Sequence, residues 1–267
     1  MIKTIMWILI VLGSFSSVAL SQPVKLCTDD AEQPPYVYYQ RVNGTADKAK
    51  LTGALIDLIA EAMKLANLEY SIETVPWKRC LREVQEFDKA QTYEIAFHGT
   101  LNEDRLNAYY ATTWIYARTG AFWYSKNKYP NGPSVNGYAD LKNFKLCGLL
   151  GNNYTGYFVD NEIVDRNAND HQAVFTKVAK DRCDLFLSNL TIPLGKVTIG
   201  ELKIPPEIVG KRIPGATPGT FHMFISKTSP RAHTLLTLVN QALLTLEFRG
   251  ISDKLFNQHI PECGRSC

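Results

Sequence analysis

Segments with the two-residue period of a strand alternate with segments of helical period along this chain, and no other feature restricts its fold as much. A strand that runs into a helix before the next strand pairs most readily in parallel, and a parallel sheet needs helices over both faces. Residues 24–28 read as a first strand, which Pro34-Pro35 interrupts. Residues 51–66 place Leu55, Leu58, Ile59, Ala62 and Met63 on one helical face, with Gly53 opening the helix. A strand over 70–75 ends at Pro76, a helix follows over 77–87, and a third strand spans 93–97. The order β-α-β-α-β then restarts: strands over 121–124, 144–150 and 184–187, a short helix over 154–160 and a longer one over 172–180. After a Gly/Pro-rich break at 215–219 come a strand over 221–226, a long amphipathic helix over 230–248 and a shorter one over 251–259. The prediction is two α/β lobes, with no fixed-period repeat and no low-complexity tract.

The first residues place Lys3 ahead of an apolar run, residues 5–12, followed by small residues and Ala19-Leu20-Ser21. That layout predicts a secretory signal over 1–21, cleaved near Ser21, and the run is too short to span a bilayer. Removing it leaves 267 − 21 = 246 residues, room for two lobes of roughly 100 residues each. The formal charge of +3 (29 basic against 26 acidic residues) falls to about +2 without Lys3, and no Lys/Arg run tracks a phosphate backbone, which argues against nucleic acid as a partner. Six cysteines in an exported chain read as three disulfides, and six allow 15 pairings. Cys263 and Cys267 are spaced to close a tight loop, Cys147 and Cys183 open two strands, and Cys27 and Cys80 remain; this is a preference among pairings, not a choice.

Patterns that carry chemistry are scarce. The five histidines never take the i, i+4 spacing of a helical zinc site, and Cys263-x-x-x-Cys267 lacks a second ligand pair, so no metal is expected. There is no nucleophile elbow and no phosphate loop, hence no expected cofactor. Ser125-x-x-Lys128 is a hydrolase fragment without its companion motifs, and a solvated strand end explains it more simply. The aromatic residues say more: Tyr36, Tyr38 and Tyr39 after the Pro-Pro break, Trp77 opening a helix, and Trp114 and Tyr116 before the lobe boundary, each placed either to wall a cleft or to pack a core.

Several stretches in fixed order resemble the periplasmic solute-binding proteins of amino-acid uptake systems, extracellular solute-binding protein family 3. They are Cys27-Thr28-Asp29 running into Pro35-Tyr36-Val37-Tyr38, Gly53-Ala54-Leu55-Ile56-Asp57-Leu58, Pro76-Trp77-Lys78-Arg79, and Gly99-Thr100-Leu101-Asn102-Glu103-Asp104-Arg105. Phe224-Ile225-Ser226-Lys227 through Pro230 and Val239-Asn240-Gln241-Ala242-Leu243 complete the set, so the likeness covers nearly the whole mature chain. The resemblance implies a type II two-lobe periplasmic-binding-protein fold: residues 22–118 with 218–267 in lobe one, 119–217 in lobe two, and two hinge strands near 115–119 and 217–221. It implies a monomer that closes on a small molecule and is read by an inner-membrane ABC permease or a sensor. It also implies bridges within lobes, Cys27–Cys80, Cys147–Cys183 and Cys263–Cys267, since a bridge between lobes would lock the motion.

By the same resemblance, Thr100 and Arg105 hold a ligand carboxylate, the planar guanidinium supplying two parallel donors. Trp77 packs on the ligand, Tyr36 lines the opposite wall, and the loop carrying Asn152 and Asn153 precedes a helix whose N–H groups meet the carboxylate. One position departs from the pattern. Where amino-acid binders carry an aspartate for the ligand ammonium, this chain has Asn189, which is neutral and cannot offset a desolvated charge. Glu32 and Asp30 are the candidates to compensate; otherwise a polar carboxylate without an ammonium is the better ligand. The expected function is therefore periplasmic capture of a small, carboxylate-bearing ligand for uptake or sensing. Two alternatives stand beside it: an exported enzyme resembling cyclohexadienyl dehydratase, with Glu32 or Glu103 as its acid, and an orphan member acting through protein contacts.

Overall fold

The computed structural model describes residues 22–260 and Arg265. The signal segment and the Cys263–Cys267 pair lie outside the described residues. In chain order the elements are β1 (Val24–Asp29), β2 (Tyr38–Val42), β3 (Thr45–Thr52), α1 (Ala54–Leu65), β4 (Tyr70–Val75), α2 (Trp77–Gln85), α3 (Phe87–Ala90), β5 (Ile95–Thr100), α4 (Glu103–Ala108), β6 (Tyr109–Ala111) and β7 (Tyr116–Arg118). There follow β8 (Ala121–Ser125), β9 (Leu146–Leu149), β10 (Val164–Ala168), α5 (His171–Ala179), β11 (Leu185–Ser188), α6 (Thr191–Thr198) and β12 (Ile208–Arg212). The chain ends with β13 (Gly219–Ser226), α7 (Ala232–Phe248) and α8 (Ile251–His259).

Two sheets organise two lobes. The first runs β4-β1-β5-β13-β6, with β7 also on β13, and the second runs β10-β9-β11-β8-β12. In each, three strands pair in parallel; β13 joins the first sheet antiparallel to β5, and in the second β8 lies antiparallel between β11 and β12. The chain crosses between the sheets twice, after Arg118 and before Gly219. These crossings lie side by side, because Tyr116–Arg118 pairs antiparallel with residues 219–221.

The first lobe's core forms where α1 lays Leu55, Leu58, Ile59 and Met63 against α7 and α8, all four fully buried. Burying each such side chain stabilises the lobe by roughly 1.5–3 kcal/mol. The sequence pattern carries the helix back to residue 51, but the strand β3 runs to Thr52 and the helix begins at Ala54. Gly53 makes the corner: its φ of +125° lies where a side chain is strained, and a Cβ there would overlap the Tyr36 carbonyl. Backbone carbonyls of Pro35 and Tyr36 then take the first N–H groups of α1, those of Ala54 and Leu55, at 3.0 and 3.1 Å.

The expected bridges Cys27–Cys80 and Cys147–Cys183 are both formed, one in each lobe. The first ties α2 to β1, and the second ties β9 to the start of β11. Closing loops of 53 and 36 residues, each stabilises the folded chain by about 4 kcal/mol on the chain-entropy account. A buried ion pair adds to the first lobe: the Arg231 guanidinium and the Ser229 hydroxyl both donate to the Glu94 carboxylate, while Arg231 Nη1 donates to Gln22 O at 2.7 Å. Arg265 donates to the carbonyls of Trp114 and Ile115, at 2.9 and 2.7 Å, so the chain's end braces the segment leading into β7. No helix among the described residues is long and apolar enough to cross a membrane.

Candidate functional site

The carboxyl ends of parallel strands in an open α/β sheet are where side chains project into a crevice, and here both sheets turn those ends toward each other. Between them lies a cavity of about 290 Å³. Thr28 and Asp29 at the end of β1, Thr100 at the end of β5, Trp77 at the start of α2, and Arg105 in α4 line one wall. The loop 151–154 after β9, with Ser188 and Asn189 at the end of β11, lines the other. The crossing strands supply the floor, Arg118 and residues 219–221.

Arg105 is positioned by local chemistry. The Asn102 side chain caps α4 by accepting the Arg105 N–H at 2.8 Å, which sets the arginine one turn from Thr100. Its Nη1 donates to Thr100 O at 2.6 Å and to Thr100 Oγ1 at 3.1 Å. The guanidinium lies 5.7 Å from the Trp77 ring and 5.6 Å from the Phe224 ring, within cation–π range. Burial lowers its pKa. Nε and Nη2 have no partner among the described residues, so one edge of the fork is free to meet an anion. Gly99 keeps this corner compact, since a Cβ there would overlap the Phe224 ring.

Asn152, Asn153 and Asn189 also line the cavity, but their hydrogen bonds differ from the sequence expectation. No helix of any length follows the 151–154 loop: residues 155–157 make a single 3-10 turn and Phe158 adopts φ +55°, which ends it. The Tyr154 N–H is taken by Asn161 Oδ1 at 2.9 Å and the Thr155 N–H by Asn153 Oδ1 at 3.2 Å, so these two N–H groups are not free to meet a ligand. Asn189 Oδ1 accepts the Ile192 N–H at 2.8 Å at the start of α6, and the Asn189 carbonyl accepts Trp123 Nε1 at 3.2 Å. With one lone pair of its side-chain oxygen taken, Asn189 keeps an uncharged amide that cannot neutralise an ammonium.

Four nominated residues lie outside the lining. Tyr36 is fully buried in the first lobe's core, because the Pro35-Tyr36 backbone is pinned to the start of α1; its ring stacks on Tyr116 at 4.4 Å. Glu32 is nearly buried and held by Arg41 at 2.8 Å and by the Tyr39 N–H at 3.0 Å. Burial raises its pKa, but these bonds outweigh that and lower it below the usual carboxylate value. It stands as a partner of Arg41 rather than of a ligand ammonium. Asp30 and Glu103 are likewise outside the lining, and both are exposed.

Three ionisable lining residues stand outside the sequence candidates: Asp29, His98 and Arg118. Asp29 is the one carboxylate among them, and burial pushes its pKa up to about 6, with the Ala31 N–H offsetting part of the effect. His98 is an extra residue in β5, opposite the register shift between His222 and Met223 of β13, and has φ +80°. Arg118 ends β7. The Thr28-Asp29 stretch belongs to the segments that carry the family likeness, so its acid is legible in principle; nothing in the local sequence marks His98 or Arg118.

No protein-family model matches the sequence, and neither does any curated protein. Solved structures do match in fold. The arginine-, lysine-, histidine-binding protein ArtJ from Geobacillus stearothermophilus superposes with a TM-score of 0.63 at 17% identity, over 90% of this chain and 96% of that one. A histidine kinase sensor domain with similarity to periplasmic binding proteins gives 0.69 at 12%, over 90% and 96%. The ancestral amino-acid-binding protein AncCDT-1, a precursor of cyclohexadienyl dehydratase, gives 0.62 at 19%, over 89% and 95%. With its two sheets, paired crossings and cleft between the lobes, the chain has the two-lobe α/β fold of the amino-acid-type periplasmic solute-binding proteins.

Proposed function

We propose that this protein captures a small carboxylate-bearing ligand between its lobes after export, and that a transporter or a sensor reads the closed form. The observation that carries this reading is Arg105, anchored on Thr100 by one nitrogen and open on the other edge, in a cavity walled by both lobes. A ligand gripped by both walls favours the closed arrangement by its differential contacts, and bending at the paired segments 116–118 and 219–221 is the motion this requires. The domain limits of 22–118 with 218–267 and 119–217 belong to the same proposal, as do cleavage near Ser21, a periplasmic location and a monomer. Binding without turnover is the reading for the cleft as a whole.

The test is calorimetric titration of purified protein with small mono- and dicarboxylates. A charged hydrogen bond in such a site contributes roughly 1.5–3 kcal/mol, so Arg105→Ala is expected to weaken carboxylate binding about 10- to 100-fold. Unchanged affinity in that variant would discard the clamp.

Asp29 supports a second reading, an enzyme on the same scaffold. A carboxyl group in the cleft with a pKa of about 6 has the property a general acid needs near neutral pH. Product formation that vanishes in Asp29→Asn while ligand binding persists would establish it over simple capture.

A further inference from the structure

The cleft floor holds a second guanidinium that the carboxylate clamp does not use. Arg118 lies 4.0 Å above the Phe221 ring and 5.5 Å from the rings of Tyr36 and Tyr116, which stack with Phe221 into a three-ring floor. Its Nη1 is buried and makes no hydrogen bond, and no carboxylate among the described residues pairs with it. Beside it His98, whose backbone strain at φ +80° swings the ring toward Tyr36 and Tyr116, has both ring nitrogens buried without partners. An orphaned buried donor is costly, and a charged one more so, unless something in the functional state completes it. Arg118 and His98 line the same cavity as Arg105, and Asp29 is the one acid among the lining residues.

We propose that Arg118, with His98 beside it, forms a second anion subsite, and that the ligand is a small dicarboxylate spanning the cavity from Arg105 to Arg118. This rests on the carboxylate reading of the cleft and narrows it. The first carboxylate takes the open edge of Arg105; the second meets the Arg118 guanidinium on the floor, beside the His98 ring. Asn189, uncharged and with one lone pair of its side-chain oxygen taken by the start of α6, cannot neutralise an ammonium there and fits a ligand lacking one.

The experiment compares chain-matched acids by calorimetry: succinate against butyrate, glutarate against pentanoate, and adipate against hexanoate, on the wild type, Arg105→Ala, Arg118→Ala and Arg118→Lys. At least one dicarboxylate is expected to bind about 10- to 100-fold more tightly than its matched monocarboxylate. Arg118→Ala should erase that ratio, and Arg105→Ala should weaken both acids. Arg118→Lys, which keeps the charge, covers the case in which the alanine variant does not fold. Wild-type protein that binds monocarboxylates as tightly as dicarboxylates overturns the subsite and leaves the Arg105 clamp standing. A di-to-mono ratio that survives loss of Arg118 does the same. Failure of all six acids to bind at millimolar concentration overturns both readings.

Discussion

Arg41 of β2 joins the two lobes: its Nη2 donates to Glu201, just beyond α6, at 2.6 Å while its Nη1 holds Glu32 of its own lobe at 2.8 Å. Lys196 reaches the other Glu201 oxygen at 3.0 Å, so the acid is gripped from both sides of the cleft mouth. The Arg41 side chain is only 15% exposed and that of Glu201 33%, which leaves the contact partly shielded from water. A pair of this kind contributes about 1 kcal/mol, the upper end for exposed pairs.

Glu201→Gln is therefore expected to weaken the closed arrangement and raise the ligand Kd about fivefold. Small-angle scattering of the unliganded variant should give a larger radius of gyration. High salt should produce the same change in the wild type and little further change in the variant. Identical scattering and identical Kd would show that the pair does not hold the lobes together.

Gly195 of α6 lies against the first lobe, and a Cβ there would overlap the Pro34 carbonyl. The obstacle is backbone on both sides, so it has little room to yield. Ile192, one turn earlier, is buried in the first lobe's core. Gly195→Ala should drive α6 off residues 33–36, cost about 1–3 kcal/mol as overpacking does, and weaken ligand binding about tenfold or more. Gly137→Ala, extended at φ 178° with its nearest neighbour at 3.9 Å, serves as the neutral control. Equal melting temperature and affinity in the two variants would refute the wedge.

Asp29 gives the chain a pH dependence of definite sign. Its pKa rises from 3.8 to about 6 on folding, so between those values the folded chain keeps a proton that the unfolded chain has lost. The contribution to stability is complete below about pH 4 and is lost as pH rises through about 6. Asp29→Asn, which cannot ionise, should melt higher than the wild type at pH 7 to 8, and the two should converge near pH 4. Parallel melting curves across that range would mean that Asp29 is not buried as described.

Local sequence made much of the architecture legible, because period and punctuation are local properties. The helical face Leu55, Leu58, Ile59 and Met63, the strand ended by Pro76, and the 251–259 helix needed no knowledge of distant residues. The hairpin β2–β3 escapes a local reading, since its second strand, Thr-Ala-Asp-Lys-Ala-Lys-Leu-Thr, buries no residue fully and carries no apolar alternation. The 151–160 stretch reads as a loop and helix, but Asn153 and Asn161 consume the N–H groups that a helix start would have offered.

For the cleft, the sequence by itself carried the Thr100–Arg105 spacing on which the family resemblance rests, and the structure sets that arginine one turn from Thr100 through the Asn102 cap, a local contact within one turn. Only the tertiary structure decided that Tyr36 turns into the core, that Glu32 serves Arg41, and that His98 and Arg118 share the floor with their polar atoms unpaired. Those outcomes depend on a bulge between β5 and β13 and on the pairing of β7 with β13, whose partners lie more than a hundred residues apart. Burial and hydrogen-bond completion are set by what arrives from elsewhere in the chain, and no local pattern specifies that.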